Sequence, residues 1–220
     1  MHIPDGFITP KVYLPAWGIA VLAWWICLRR TGSLLDPLVI PRLAVTTSAA
    51  FVLSLVTIPL PGGSSVHLTF VGLLTVLFGW RLAFMALSLV FVLQAFLLGD
   101  GGITTLPVNI LAIAGSGVIV ATLVFHLLRR LHLNLALFLA GWTAVVIPSF
   151  LIALILGLQP TLAHDASGTP LFFPFGLRVT LPALILPHMI LGIGEGMLAV
   201  MGWRFFQAGS RRSIKGAIDA

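Results

Sequence analysis

The chain opens MHIPDGF (1–7), and its first two residues set three nitrogens in a row: the α-amine of Met1, the backbone N of His2 and the His2 imidazole. A metal bound to all three closes two small fused chelate rings that hold it close to a plane. Coordination displaces the amide proton, which favours ions that gain most from strong in-plane nitrogen donors. Square-planar or tetragonal nitrogen sites suit Ni(II) and Cu(II). Pro4 lacks an N–H and fixes its own φ, turning the chain just after the chelate, and Asp5-Gly6 reads as a tight turn. Three donors leave one corner open. His67, in PGGSSVHLT (61–69), is the histidine placed to fill it, in a loop or re-entrant segment. Ordinary readings of the same residues stay open: position 2 is an exposed terminus, and a loop histidine beside an interface is often simply solvated. The opening shows no basic n-region and no A-x-A cleavage pattern, so Met1 is expected to survive in the mature protein.

The elements that must position these donors are set by the solvent. Hydrophobic residues make up 59% of the 220 and charged residues 8%, with a mean hydropathy of +1.13. Water-soluble domains carry about 25% charged residues. The chain therefore reads as an integral, all-α membrane protein, because long apolar runs in lipid must satisfy their backbone groups internally. About seven spans are expected at 13–28, 42–60, 67–80, 82–98, 106–128, 134–157 and 181–206. Residues 1–206 form a single membrane domain, and 207–220 a basic cytoplasmic tail. With the amino end outside and the carboxyl end inside, Arg29, Arg30, Arg42, Arg81, Arg129, Arg130, Arg204, Arg211, Arg212 and Lys215 fall inside, against Lys11 and Arg178 outside. That is the asymmetry of cytoplasmic loops, so the net charge of +6 points to a membrane and not to nucleic acid. No GxxxxGK[ST] occurs, so any ATP hydrolysis of that kind belongs to another subunit. Cys27, the one cysteine, forms no internal disulfide.

Other polar residues stand out against the apolar background. Gln94 and Asn109 flank the outer loop 99–105, and one or both are expected to hydrogen-bond an inserted amino-terminal backbone. Thr69, two residues past His67, joins them as support. Asp100 reads as a solvated loop charge. His188, near the outer end of the last span, is placed either as support for the site or as a residue bonded to a neighbouring helix. His164 and Asp165 read as an exposed loop, and His126 and His132 as interfacial. Glu195 is the acid inside a span; with Gly192 and Gly196 it reads as a helix-packing site toward a neighbouring helix or a partner subunit. An enzyme alternative pairs Ser116, in Gly115-Ser116-Gly117, with His188 as in an intramembrane serine protease.

Taken together, MHIPDGF, PGGSSVHLTFVG (61–72), QAFLLGDGGITTLPVN (94–109) and PHMILGIGEGM (187–197) resemble the CbiM/NikM family, the substrate-binding membrane components of energy-coupling-factor transporters for cobalt and nickel. The resemblance covers most of the chain, with 134–180 the least telling part. It implies seven membrane helices in the plasma (inner) membrane, an amino end tucked in from the outer side, and no catalysis and no prosthetic group. It implies Ni(II) or Co(II) as cargo, held by the amine of Met1, the backbone and side-chain nitrogens of His2, and His67. The implied partners are a transmembrane coupling protein, two ATPase subunits and, in many systems, a small accessory membrane subunit. A vitamin or other small-molecule cargo is the alternative within the same transporter class. Two departures stand out: His67-Leu68-Thr69-Phe70 replaces a common His-Pro-Thr-Gly, and Pro107 stands where glycine is usual.

Overall fold

The computed structural model describes residues 2–31, 37–60 and 64–218. A non-helical segment, 2–9, which turns at Asp5–Gly6, leads into α1 (Pro10–Thr31) and α2 (Val39–Ser54), followed by an antiparallel hairpin of β1 (Ile58–Leu60) and β2 (Ser64–Val66) in which Ile58 faces Val66. Helix α3 (Val71–Leu93) ends in a π-helical turn, Gln94–Leu98. Short α4 (Leu106–Asn109) runs through a second π-helical turn, Ile110–Gly115, into α5 (Ser116–Leu128). Then come α6 (Leu133–Gly157), the single turn α7 (Gln159–Leu162) and α8 (Leu177–Ile218).

Five helical stretches among the described residues are long and apolar enough to cross a membrane: Pro10–Arg29, Val71–Leu98, Leu106–Leu128, Leu133–Leu162 and Leu177–Ala208; Val39–Ser54 is apolar but shorter. The protein is mostly helical and polytopic. Spans are expected at 67–80 and 82–98; the structure has one helical stretch there, beginning at Val71 because 67–70 is non-helical, with Phe70 in the left-handed region. That stretch is not straight. A continuous helix would hold Val71 and Phe91 about 30 Å apart. Yet His67 and Phe91 both lie on the His2 ring, with centroids at 5.1 and 4.7 Å. The chain doubles back at Gly79, whose φ of 80° and ψ of 163° are non-helical and open chiefly to glycine. The span expected to end at 60 stops at Ser54, since the hairpin takes the residues that follow. Helix α8 passes through the 207–220 tail as far as Ile218, so the tail prolongs the helix.

Long-range polar ties gather at the end of the bundle that holds residues 2–9. They include the Ser54–Gln94, Ile3–Asn109 and Thr9–Gln159 hydrogen bonds. At the other, Phe78 meets Phe206 and Phe125 meets Trp203, with centroids 6.3 and 5.9 Å apart. In the middle, α6 packs on α3, α5 and α8. A Cβ on Gly141 of α6 would come within 2.6 Å of the Glu195 carbonyl and 2.8 Å of Gly196 in α8. Small residues give lipid-embedded helices this close approach, since apolar burial alone does not drive them together.

Candidate metal centre

Residues 2–9 are threaded into the polar end of the bundle, and four groups grip Ile3. Its N–H donates to Asn109 Oδ1 (2.8 Å), and its carbonyl accepts from Asn109 Nδ2 (3.0 Å), Thr105 Oγ1 (2.6 Å) and the Gly102 N–H (3.0 Å). Asp5 accepts from the N–H groups of Ile103 and Thr104 and from Thr104 Oγ1. Farther along, the Thr9 N–H donates to Gln159 Oε1 (2.9 Å) and the Phe173 N–H to the Phe7 carbonyl (3.2 Å). Ile3 and Ile8 are fully buried beneath these ties. Gly101, at φ +86°, lets the loop pass close: a Cβ there would sit 3.1 Å from His2 Cβ.

This docking stacks the His2 ring on His67 with an interplanar angle of 27°. His2 Nδ1 lies 3.3 Å from Asp100 Oδ1, longer than a well-formed hydrogen bond. One donor atom from each of His2, His67 and Asp100 falls within 4.8 Å of the others. Among the described residues, both ring nitrogens of His2 and Nε2 of His67 are buried without a hydrogen-bond partner. Buried polar atoms rarely go unpaired, and the three lie together, where a neutral His2 ring offers one lone pair and His67 another. His67 Nδ1 lies 3.2 Å from the Leu68 carbonyl. A carbonyl only accepts, which puts the ring proton on Nδ1 and leaves Nε2 as a lone pair. Burial holds His2 below the ordinary imidazole value and His67 well below it, so both rings are neutral at pH 7. Burial works the other way on Asp100, but contact with His2 outweighs it and brings that carboxyl down to about 2.

A second tie fixes His67 from the other side. Glu195 Oε1 accepts from the Thr69 N–H, from Thr69 Oγ1 (3.0 Å) and from the Phe70 N–H (3.0 Å). Glu195 is fully buried and, beyond lying in α8 against α6, it anchors the strip that carries His67. Gly192 and Gly196 lie against Trp142 and Phe138 of α6.

Several sequence expectations change here. Asn109 reaches the inserted backbone, whereas Gln94 turns away and donates to Ser54 Oγ at 2.7 Å. Asp100 is no solvated loop charge; its side chain is 29% exposed and faces His2. Gln159 takes the role expected of Gln94, and nothing in its local sequence marks it. His188 is outside the gathered donor set, with Nδ1 on the Leu184 carbonyl of its own helix. Ser116 likewise donates to the Ala112 carbonyl, so the Ser116–His188 pair is not formed. His132 caps α6 by accepting from the Leu135 N–H. Met1, whose amine is the first of the expected donors, lies outside the described residues, as does the start of the 61–69 loop.

The grip on Ile3 yields a direct expectation. Asn109→Ala removes two buried hydrogen bonds, each contributing about 1 kcal/mol. Loosening the 2–9 segment by about 2 kcal/mol corresponds to roughly 30-fold faster exchange of its protected amides. Hydrogen–deuterium exchange of the amino-terminal peptide reads this directly, and unchanged protection would show that other ties hold the segment.

A family model described as CbiM, cobalt uptake substrate-specific transmembrane region, matches residues 2–213. The cobalt transport protein CbiM of Roseiflexus sp. is 35% identical, with 98% of this chain and 85% of that protein covered. The probable fused nickel transport protein LarMN of Lactiplantibacillus plantarum is 34% identical, with 86% of this chain covered but only 59% of that longer protein. The chain thus spans less than two thirds of that fused relative. A crystal structure of a transition metal transporter superposes with a TM-score of 0.92 at 29% identity, covering 99% of this chain and 97% of that one.

Proposed function

The chain belongs to the CbiM family, and from that premise we propose that it captures Ni(II) or Co(II) as the substrate-binding component of an ATP-driven importer. Family membership supports a multi-pass plasma-membrane component of cobalt or nickel transport, with the metal ion as cargo. The membership favours a metal ion over a vitamin. The proposed ligands are the Met1 amine, the backbone N and Nδ1 of His2, and Nε2 of His67. The observation that carries this reading is the stacked, buried His2–His67 pair, with Nε2 of His67 without a partner, beneath an amino terminus gripped at Ile3.

Capture then follows from the donors. A neutral imidazole at His67 needs no proton removed before it binds. The incoming ion displaces the His2 amide proton to solvent, and the ring proton facing Asp100 moves to Nε2 so that Nδ1 can bind; the cost selects for metals with strong in-plane bonding to nitrogen. Asn109, Thr105 and Gly102 hold the next residue, so His2 is pre-positioned and little ordering remains to be done on binding. The proposed topology has seven passes, amino end outside and carboxyl end inside, with the two arms of α3 on either side of Gly79 counted separately. ATP hydrolysis occurs in two partner ATPase subunits and reaches this chain through a transmembrane coupling protein, with a small accessory membrane subunit alongside. Opening of the 2–9 segment releases the ion inward.

His67→Ala tests the ligand set. Three chelating nitrogens remain, so affinity for Ni(II) is expected to fall roughly 10- to 100-fold, not to vanish. Added imidazole should restore part of it by filling the vacated corner. Titration calorimetry on detergent-purified protein with an unmodified amino end measures both. Wild-type affinity in the variant would remove His67 from the ligand set.

A further inference from the structure

Resting on that reading, we propose that Asp100 donates a carboxylate oxygen directly to the transported ion, outside the plane of the nitrogens. Its Oδ1 stands 3.3 Å from His2 Nδ1. Two donors each about 2.1 Å from one ion stand about 3 Å apart when adjacent, so this spacing already suits a shared metal. The backbone places it firmly: the Asp100 N–H caps the π-helical turn at the Gln94 carbonyl (3.1 Å), just after Gly99 in its left-handed conformation. The two other described carboxylates near this end of the chain are already committed. Asp5 is taken up by Ile103 and Thr104, and Glu195 by Thr69 and Phe70. Asp100 faces the histidines.

Charge points the same way. A divalent ion bound to a deprotonated His2 amide carries a net charge of +1 in a pocket where His2 and His67 are nearly inaccessible. An uncompensated buried charge is costly, and one carboxylate makes the assembly neutral. An oxygen outside the nitrogen plane also serves an ion that takes five or six donors more than one satisfied by a planar four. Asp100 therefore tilts the site toward Co(II) relative to a pure nitrogen set.

The test compares wild type with Asp100→Asn, both purified with unmodified amino ends and titrated with NiCl2 and CoCl2. The asparagine keeps an oxygen able to accept from His2 Nδ1, so a residue that only positions the ring would be replaced without loss. Direct donation predicts that Co(II) affinity falls about 30-fold and Ni(II) affinity about 3-fold. It also predicts that the X-ray absorption pre-edge shoulder of planar four-coordinate Ni(II) is stronger in the variant. Asp100→Ala should lose at least as much, with protection of the amino-terminal peptide confirming that the fold is intact. Affinities within twofold of wild type together with an unchanged edge overturn the proposal. Wild-type binding that depends on His67 but not on Asp100 overturns it alone, whereas a wild type that binds neither metal brings down the ligand reading as well.

Discussion

Blocking the amino group of Met1, by acetylation or by Gly-Ser placed ahead of it, is expected to weaken Ni(II) binding at least about 1,000-fold, or about 4 kcal/mol. In the proposed ligand set the amine anchors the first chelate ring, and without it the His2 amide proton is far harder to displace. The pocket cannot shift to compensate. Ile3 is fully buried and held at both its N–H and its carbonyl by Asn109, with Thr105 and Gly102 on the same carbonyl. Register before Ile3 is therefore fixed. A single added residue is the poorer test for a chemical reason. It would place histidine third, and an amine, two amides and an imidazole close a four-nitrogen chelate on their own. Acetylation removes the lone pair and adds little bulk. Metal content of the purified protein, measured against an unblocked control, decides the matter, and equal loading would eliminate the amine as a ligand.

How far the sequence foretold this site depends on the kind of residue. Asn109 was legible because an amide amid apolar residues must find a partner, and the inserted backbone is the obvious one. Gln94 and Gln159 look alike in sequence, and only the helix packing decides that Gln159 meets Thr9 while Gln94 meets Ser54. Asp100 sits in Gly-Asp-Gly-Gly, where a solvated turn is the default. Its partial burial arises when the amino terminus folds over it, a contact across nearly a hundred residues. The break beside Gly79 was legible, since the expected spans 67–80 and 82–98 part next to it, but the doubling back it makes was not, because both arms of α3 are apolar and periodicity carries no direction of turn. The departure at position 70 is more instructive. Phe70 adopts φ 60° and ψ 12°, the left-handed geometry glycine would take freely, so the loop's shape persists although the residue that makes it easy has gone.

That persistence makes Glu195 the second large expectation. A non-glycine residue held left-handed costs about 1–2 kcal/mol, and Phe70 begins α3 with no side-chain cap of its own. Glu195 supplies what is missing, accepting from the backbone N–H groups of both Thr69 and Phe70 and from Thr69 Oγ1. Glu195→Ala would strand those donors in a fully buried setting, a loss of about 3–5 kcal/mol. The expected results are a melting temperature lower by about 10 °C and Ni(II) affinity reduced at least about 100-fold, as Thr69 and Phe70 relax and carry His67 off the His2 ring. Glu195→Gln keeps one accepting oxygen and should fall between the two. The amino-terminal segment is held by Asn109, Thr105 and Gln159, none of which touches Glu195, so its exchange protection should survive in both variants. Loss of metal with residues 2–9 still docked would separate the strip bearing His67 from the segment bearing His2. Wild-type affinity in Glu195→Ala would instead mean that His67 holds its place through β2 and α3 alone.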